Sequence, residues 1–205
     1  MRFAFLKARG VSDVPTCVNL APFLLALSTE SIDAKRELLR DYGLDPTHML
    51  QTCPQFFGIN SSRLEEKLRF AMGALRLTAF TLEHNPTLLN RSLDGNMRPR
   101  IALLLQLGLP LPPPPAGADA ADEPRGRRPV TLLTVLRWPT AQFLAHLVES
   151  GHPSVFNADD LEEAAGGAGL LAAAKEWEEA RVAEAVRMGL VPETLSSDAA
   201  AREVR

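Results

Sequence analysis

Apolar positions along the first half of the chain recur at helical spacing and never alternate as in a strand. Leu64, Leu68, Ala71 and Leu75 fall on one face at i, i+4, i+7 and i+11, and Met97, Ile101, Leu104 and Gly108 repeat that spacing. Polar residues supply the boundaries. Asp45-Pro46 predicts a helix start, with Asp45 as N-cap and Pro46 in the first turn, where a missing N–H costs nothing. That helix is expected to run to about Cys53 and to stop there, because the residue before Pro54 disfavours the helical region. Ser62-Arg63-Leu64-Glu65 reads as a capping box opening the next helix, and Pro99 is tolerated in the first turn of a later one.

Prolines turn these helices into a repeat. Pro22, Pro54 and Pro86 are equally spaced, and Pro139 follows at a longer interval, across a segment that looks inserted. Four residues before each stands an aliphatic: Val18, Leu50, Leu82 and Val135. Two and three residues after come Leu24-Leu25, Phe56-Phe57 and Leu88-Leu89; the fourth repeat departs with Ala141-Gln142 and has its large apolar residue at Phe143. The first three repeats close on Leu44, Leu77 and Leu109, with Gly43 and Gly108 before two of them. Helix, break and helix recurring at about 32 residues predict an all-α fold, an α-solenoid of helical hairpins.

The division expected is as follows. Residues 1–109 hold a half repeat and three full ones, and 110–129 form a Pro/Ala/Arg-rich insert loop. Residues 130–156 make a degenerate fourth repeat, and 157–205 make acidic, Ala/Glu-rich helices and a tail. Within the last segment Asn157 to Asp160 can cap a helix, the Gly166 to Gly169 run breaks it, and Leu170 to Met188 makes a second helix. That helix would carry Leu170, Leu171, Ala174, Trp177, Arg181, Ala185 and Met188 towards the repeats as a cap, or present them to a partner. Arg2 to Gly10 resembles the second half of a preceding repeat, which suggests that the chain begins late; no targeting peptide is visible.

Composition narrows the chemistry. With 46% hydrophobic and 23% charged residues among 205, the chain can bury a core, and no apolar run nears the roughly 18 residues of a membrane-spanning helix. Two cysteines exclude a disulfide scaffold. The net charge of −3 conceals an asymmetry: residues 1–109 carry +3 and residues 110–205 carry −6. A polyanion-binding face therefore belongs to the first half. His48, His84, His146 and His152 have no zinc spacing with Cys or acidic residues, so no metal is expected. The Gly166 to Gly169 run lacks the Lys-Ser/Thr of a phosphate loop, and no paired acid and base or activated nucleophile emerges. Neither cofactor nor enzymatic activity is expected.

Asn85-Pro86-Thr87-Leu88-Leu89, then Arg98-Pro99-Arg100-Ile101-Ala102-Leu103-Leu104 and the closing Leu107-Gly108-Leu109, resemble one repeat of the mitochondrial transcription termination factor (mTERF) family. Leu82 through Leu89 matches the family's Leu-x-x-x-Pro-x-Leu-Leu core, and Phe5 to Val11 matches the ending of an earlier repeat. The resemblance covers residues 1–109 well, 130–150 weakly and 155–205 not at all. It implies stacked helical hairpins holding DNA or RNA in a mitochondrion or chloroplast, for transcription termination or regulation or for RNA processing. It equally admits a structural or assembly component of an organellar ribosome that contacts rRNA and neighbouring proteins.

Under that resemblance the cations become candidates. Arg91, Arg98 and Arg100 cluster at one helix start; Arg63, Lys67 and Arg69 occupy the corresponding region one repeat earlier, and Lys35, Arg36 and Arg40 the repeat before. Recurrence in three repeats suggests a ladder of phosphate contacts. The competing view is a solvated outer face, partly neutralised by Asp41, Glu65 and Glu66. Phe56, Phe57, Phe70 and Phe80 are expected in the core and not as base-stacking platforms. Pro22, Pro54, Pro86 and Pro139 are expected to be structural. Trp138 and Trp177 are expected to anchor packing.

Overall fold

The computed structural model describes residues 2–106, 132–137, 139, 142–143, 145, 147 and 168–193. The expected loop at 110–129, Gly108, Leu109, Trp138, the Asn157 cap and most of the fourth repeat lie outside the described residues. Among the described residues the secondary structure is helical throughout, without a strand. Two compact units emerge, Met1–Asn90 with Arg181–Arg205, and Arg91–Ala180.

In the first unit the hairpins follow the proline ruler. Helix α1 (Arg2–Ala8) precedes α2 (Val14–Leu20) and α3 (Thr29–Asp41); α4 (Pro46–Thr52) pairs with α5 (Ser61–Leu68), and α6 (Ala79–His84) opens the third repeat. Each repeat proline starts a short 3-10 turn between the paired helices: Pro22–Leu25, Pro54–Gly58 and Pro86–Asn90. Fixed φ and a missing N–H suit proline to the first position of such a turn. Pro54 and Pro86 are buried and Pro22 is exposed.

The caps share the period. The first helices begin at Asp13, Asp45 and Thr78, whose side chains accept from the backbone N–H of Thr16, Thr47 and Thr81. The second-helix segments begin at the equally spaced Ser28, Asn60 and Ser92, which accept from Ser31, Ser62 and Gly95. The cap of α5 is therefore Asn60, not Ser62: Asn60 Oδ1 takes both the Ser62 N–H at 2.9 Å and the Ser62 hydroxyl at 2.6 Å. Asn60, at φ −58° and ψ 144°, lies outside the helical region as an N-cap must, whereas Ser62 is already inside the helix.

The C-terminal ends of the second helices recur as regularly. Gly10 and Gly43 take left-handed φ of 85° and 72°, and the Leu44 N–H returns to the Leu39 carbonyl at 3.0 Å, as a Schellman end requires. Arg76 stands at this position in the next repeat and adopts φ of 59° although it has a Cβ. There α5 runs on as a π-helical segment, Arg69–Ala74, and the closing bond widens to Leu77 N–H with Ala71 O at 3.0 Å.

The core of this unit contains Leu24, Ile32, Leu39, Met49, Leu50, Phe56, Phe57, Leu64, Leu68 and Phe70. Phe80 departs from expectation: it is 47% exposed, because α6 turns it outward to stack on His84, with centroids 4.0 Å apart. In the second unit a π-helical segment, Leu93–Met97, leads into α7 (Arg98–Gln106). Pro99 has no N–H to give and crowds the carbonyl four residues back; the wider Met97 N–H to Ser92 O bond precedes it. Helix α8 (Leu132–Arg137) contributes the buried Val135 and Leu136, followed by Phe143 and Leu147.

Helix α9 spans Ala168–Arg187, so Gly169 lies in its first turn and not in a break. It buries Ala174, Glu178, Val182 and Ala185, whereas Met188 is 63% exposed and Trp177 is partly exposed. In the first unit the Arg181 Nε–H donates to Ala74 O at 2.9 Å, Glu184 pairs with Arg76 at 2.7 Å, and Val182 lies over Gly73. Its C-terminal portion thus packs on the end of the π-helical segment.

Candidate nucleic-acid interface

The nine candidate cations separate by burial. Lys35, Arg36, Lys67, Arg98 and Arg100 are only 2–8% exposed, whereas Arg40, Arg63 and Arg91 are exposed and Arg69 is partly so. The buried five do not form a solvent-facing ladder. Charge taken out of water must find partners, and the structure shows them.

Lys35 and Lys67 occupy the same position in successive repeats, at the same distance after Pro22 and Pro54. Lys35 Nζ donates to Phe57 O at 2.9 Å, and Lys67 Nζ donates to Leu89 O at 2.6 Å. Both acceptors lie in the turn opened by the next repeat proline. The two lysines are equivalent staples, each tying the second helix of one repeat to the 3-10 turn of the next. Their stems lie in apolar surroundings while the ammonium satisfies a carbonyl. Burial, and then Arg63, lower the Lys67 pKa against the opposing charge of Glu66.

Arg100 plays a related part in the second unit. Its Nη1 donates to Val135 O at 2.7 Å and its guanidinium lies 5.1 Å from the Phe143 ring centroid. Burial, with Arg91 adding to it, lowers its pKa. Arg36 donates to the Thr47 hydroxyl at 3.3 Å, and its buried Nη1 has no hydrogen-bond partner. Burial and then the charge of Arg40 lower its pKa; Arg9 adds to this, and Asp33 and Asp45 oppose it. Arg98 differs in kind. Its Nε and Nη2 donate to the two Glu178 oxygens at 2.7 and 2.9 Å, and Nη1 donates to Asp94 at 2.7 Å.

The outward-facing cations have acidic neighbours of their own. Arg40 pairs with Glu37, Arg63 with Glu66 at 2.8 Å and Arg69 with Glu65 at 3.9 Å. Arg91 donates to Arg137 O at 3.3 Å. Exposed pairs of this kind are weak and open readily to a competing anion.

Three contributors lie outside the nine candidates. Arg9 forms a two-point pair with Asp33 and lies over the Phe5 ring. Arg76 stands before Leu77 where Gly43 and Gly108 stand in the neighbouring repeats, and that departure is itself a readable signal. Glu178 has no local signal, since its partner Arg98 is 80 residues away. Among the described residues no group of three or more His, Cys, Asp or Glu could share a metal ion, and no helix is long and apolar enough to cross a membrane.

Helical hairpins with caps, turns and lysine staples in register define an α-helical repeat protein. The family model for mTERF matches residues 1–116, more than half of the chain, and the chain belongs to the mTERF family. No curated protein and no solved structure matches it.

Proposed function

We propose that this chain is a non-enzymatic nucleic-acid-binding protein of organellar gene expression, acting in transcription termination or regulation or in RNA processing. The observation that carries this is membership of the mTERF family across residues 1–116, the half of the chain with net positive charge. In this reading Arg40, Arg63, Arg69 and Arg91 are the phosphate contacts, because their guanidiniums reach solvent or lie at its edge. Lys35, Lys67 and Arg100 act one step behind, holding repeats in the geometry that spaces those contacts. The mitochondrion or the chloroplast is the site of action by family.

The test is titration of a duplex and of single strands of one sequence across a salt series. The R40A/R63A/R69A/R91A variant is expected to weaken binding evenly over sequences and to flatten the salt slope by about 0.9 per lost duplex phosphate contact. An unchanged slope would return these arginines to a solvated outer face.

A second reading rests on the acids beside Arg40, Arg63 and Arg69. Such partly neutralised cations suit an rRNA contact shared with neighbouring proteins, as in a structural or assembly component of an organellar ribosome. Copurification with ribosomal particles, without salt-dependent binding to free nucleic acid, would favour it.

A further inference from the structure

Four of the five buried cations are held by backbone carbonyls or by carboxylates, and Arg36 by the Thr47 hydroxyl. Lys35, Lys67 and Arg100 donate to backbone carbonyls, which are fixed parts of the fold. Arg98 is held by carboxylates, and Glu178 meets it fork to fork through Nε and Nη2. A guanidinium binds a phosphate with the same two-point geometry, so Glu178 holds Arg98 as a phosphate would. Arg98 is 6% and Glu178 11% exposed at the side chain, so this pair is sheltered from solvent, unlike the surface pairs.

Glu178 belongs to α9, within a segment of net charge −6. Among the described side chains of α9, Ala174, Glu178, Val182 and Ala185 are buried. Within the first unit the same helix adds a second arginine–glutamate pair, Arg76 with Glu184. The half-exposed Glu184 makes that second pair sensitive to salt and to a competing polyanion, whereas the sheltered Glu178 pair is screened much less and yields to an anion that replaces the carboxylate on Arg98.

We propose that α9 is a built-in acidic competitor for the nucleic-acid site, a latch whose Glu178 occupies the phosphate position on Arg98 until a polyanion displaces it. The inference rests on the nucleic-acid reading above and adds its regulation. A latch that is closed most of the time lowers apparent affinity by the fraction of molecules that are open. The chain would then engage nucleic acid only where several phosphates compete at once.

The experiment uses the full chain, with a duplex and a single strand of one sequence as probes. E178Q keeps the shape of the side chain and removes its charge. It is expected to bind roughly five- to tenfold more tightly at low salt, with the gain shrinking as salt is added. Adding R98A to E178Q should abolish the gain. Hydrogen exchange gives a readout independent of affinity: added duplex should speed exchange of the 168–187 amides in the unaltered chain. This second measurement also decides the matter if E178Q melts without cooperativity. Equal affinity of E178Q and the unaltered chain, or α9 amides no less protected in the complex, overturns the latch and leaves the nucleic-acid reading standing. If no form of the chain shows salt-dependent binding, that reading falls and the latch falls with it.

Discussion

Helices α3 and α9 each bury one face, but with different materials. The face of α3 is Ile32, Lys35, Arg36, Leu38 and Leu39, so large aliphatic groups surround the cations. The buried positions described in α9 are Ala174, Glu178, Val182 and Ala185, small groups around an anion. In α3 the buried charge is a staple, because Lys35 satisfies a backbone carbonyl in the interior. In α9 it is a counter-charge, because Glu178 satisfies a side chain that a phosphate could also satisfy. A hydrophobic pattern reveals the first kind of contact and is nearly blind to the second.

The largest difference between the two helices is expected in the apolar core. Phe56 and Phe57 are fully buried with ring centroids 4.7 Å apart. F56A is expected to cost about 3–5 kcal/mol through lost transfer energy and a residual cavity. V182A in α9 removes less from a shallower site and is expected to cost about 1 kcal/mol. Urea unfolding of both variants checks the ranking. A V182A cost equal to that of F56A would mean that α9 is integral to the core, against the latch.

The staples come next. K67A leaves the Leu89 carbonyl without a donor and removes the apolar stem, and is expected to cost about 2–3 kcal/mol. K67M restores the stem and removes the cost of burying the ammonium, so it should lose clearly less. Neither should change the salt slope of nucleic-acid binding. A slope flattened by K67M would make Lys67 a phosphate contact after all.

The period, the cap at Asp45 and the second-repeat face of Leu64, Leu68, Ala71 and Leu75 are legible because they depend on residues close in sequence. The proline ruler locates the breaks, and local rules suffice for that. The cations are legible as a recurrence and not as a role. Lys35 and Lys67 recur because the repeat interface recurs, and a buried staple leaves the same periodic trace as a ladder of phosphate contacts. Phe80 escapes the pattern because one exposed turn of a six-residue helix offers too few positions to set a face. Glu178 is out of reach, since nothing near residue 178 announces a partner at residue 98. Ser62 mimics a cap because Asn60, Ser61 and Ser62 are three capping residues in a row, and backbone conformation chooses among them.

Arg76 gives a smaller effect of the same kind. Its left-handed backbone costs about 1 kcal/mol relative to glycine, and its side chain offsets this through Glu184. R76G alone should therefore be close to neutral. In an E184Q background, where the pair is already gone, R76G should stabilise by about 1 kcal/mol. Additive behaviour of the two changes in a double-mutant cycle would show that the pair contributes nothing.

The smallest effect uses the Arg9–Asp33 pair as a control for Glu178 and Arg98. Arg9 donates to both Asp33 oxygens, yet these side chains are 37% and 38% exposed. The Arg9 hydrogen bonds hold the Asp33 carboxyl below its ordinary value, with burial opposing them. The folded value then lies below the unfolded one, near 3.9. The stabilisation is fully present above about pH 4 and is lost as pH falls through the folded value. D33N removes that titration, so it should be slightly less stable than the unaltered chain at neutral pH and should match it in strong acid. Solvent screening keeps the difference small. Asp13, also held low by the Thr16 backbone N–H, leaves some acid sensitivity in the variant. Urea midpoints across an acid series read the effect as a shallower acid limb. Parallel limbs for the two proteins would show that an exposed two-point pair carries no measurable linkage here. Any strength of the Glu178–Arg98 pair would then come from its greater burial alone.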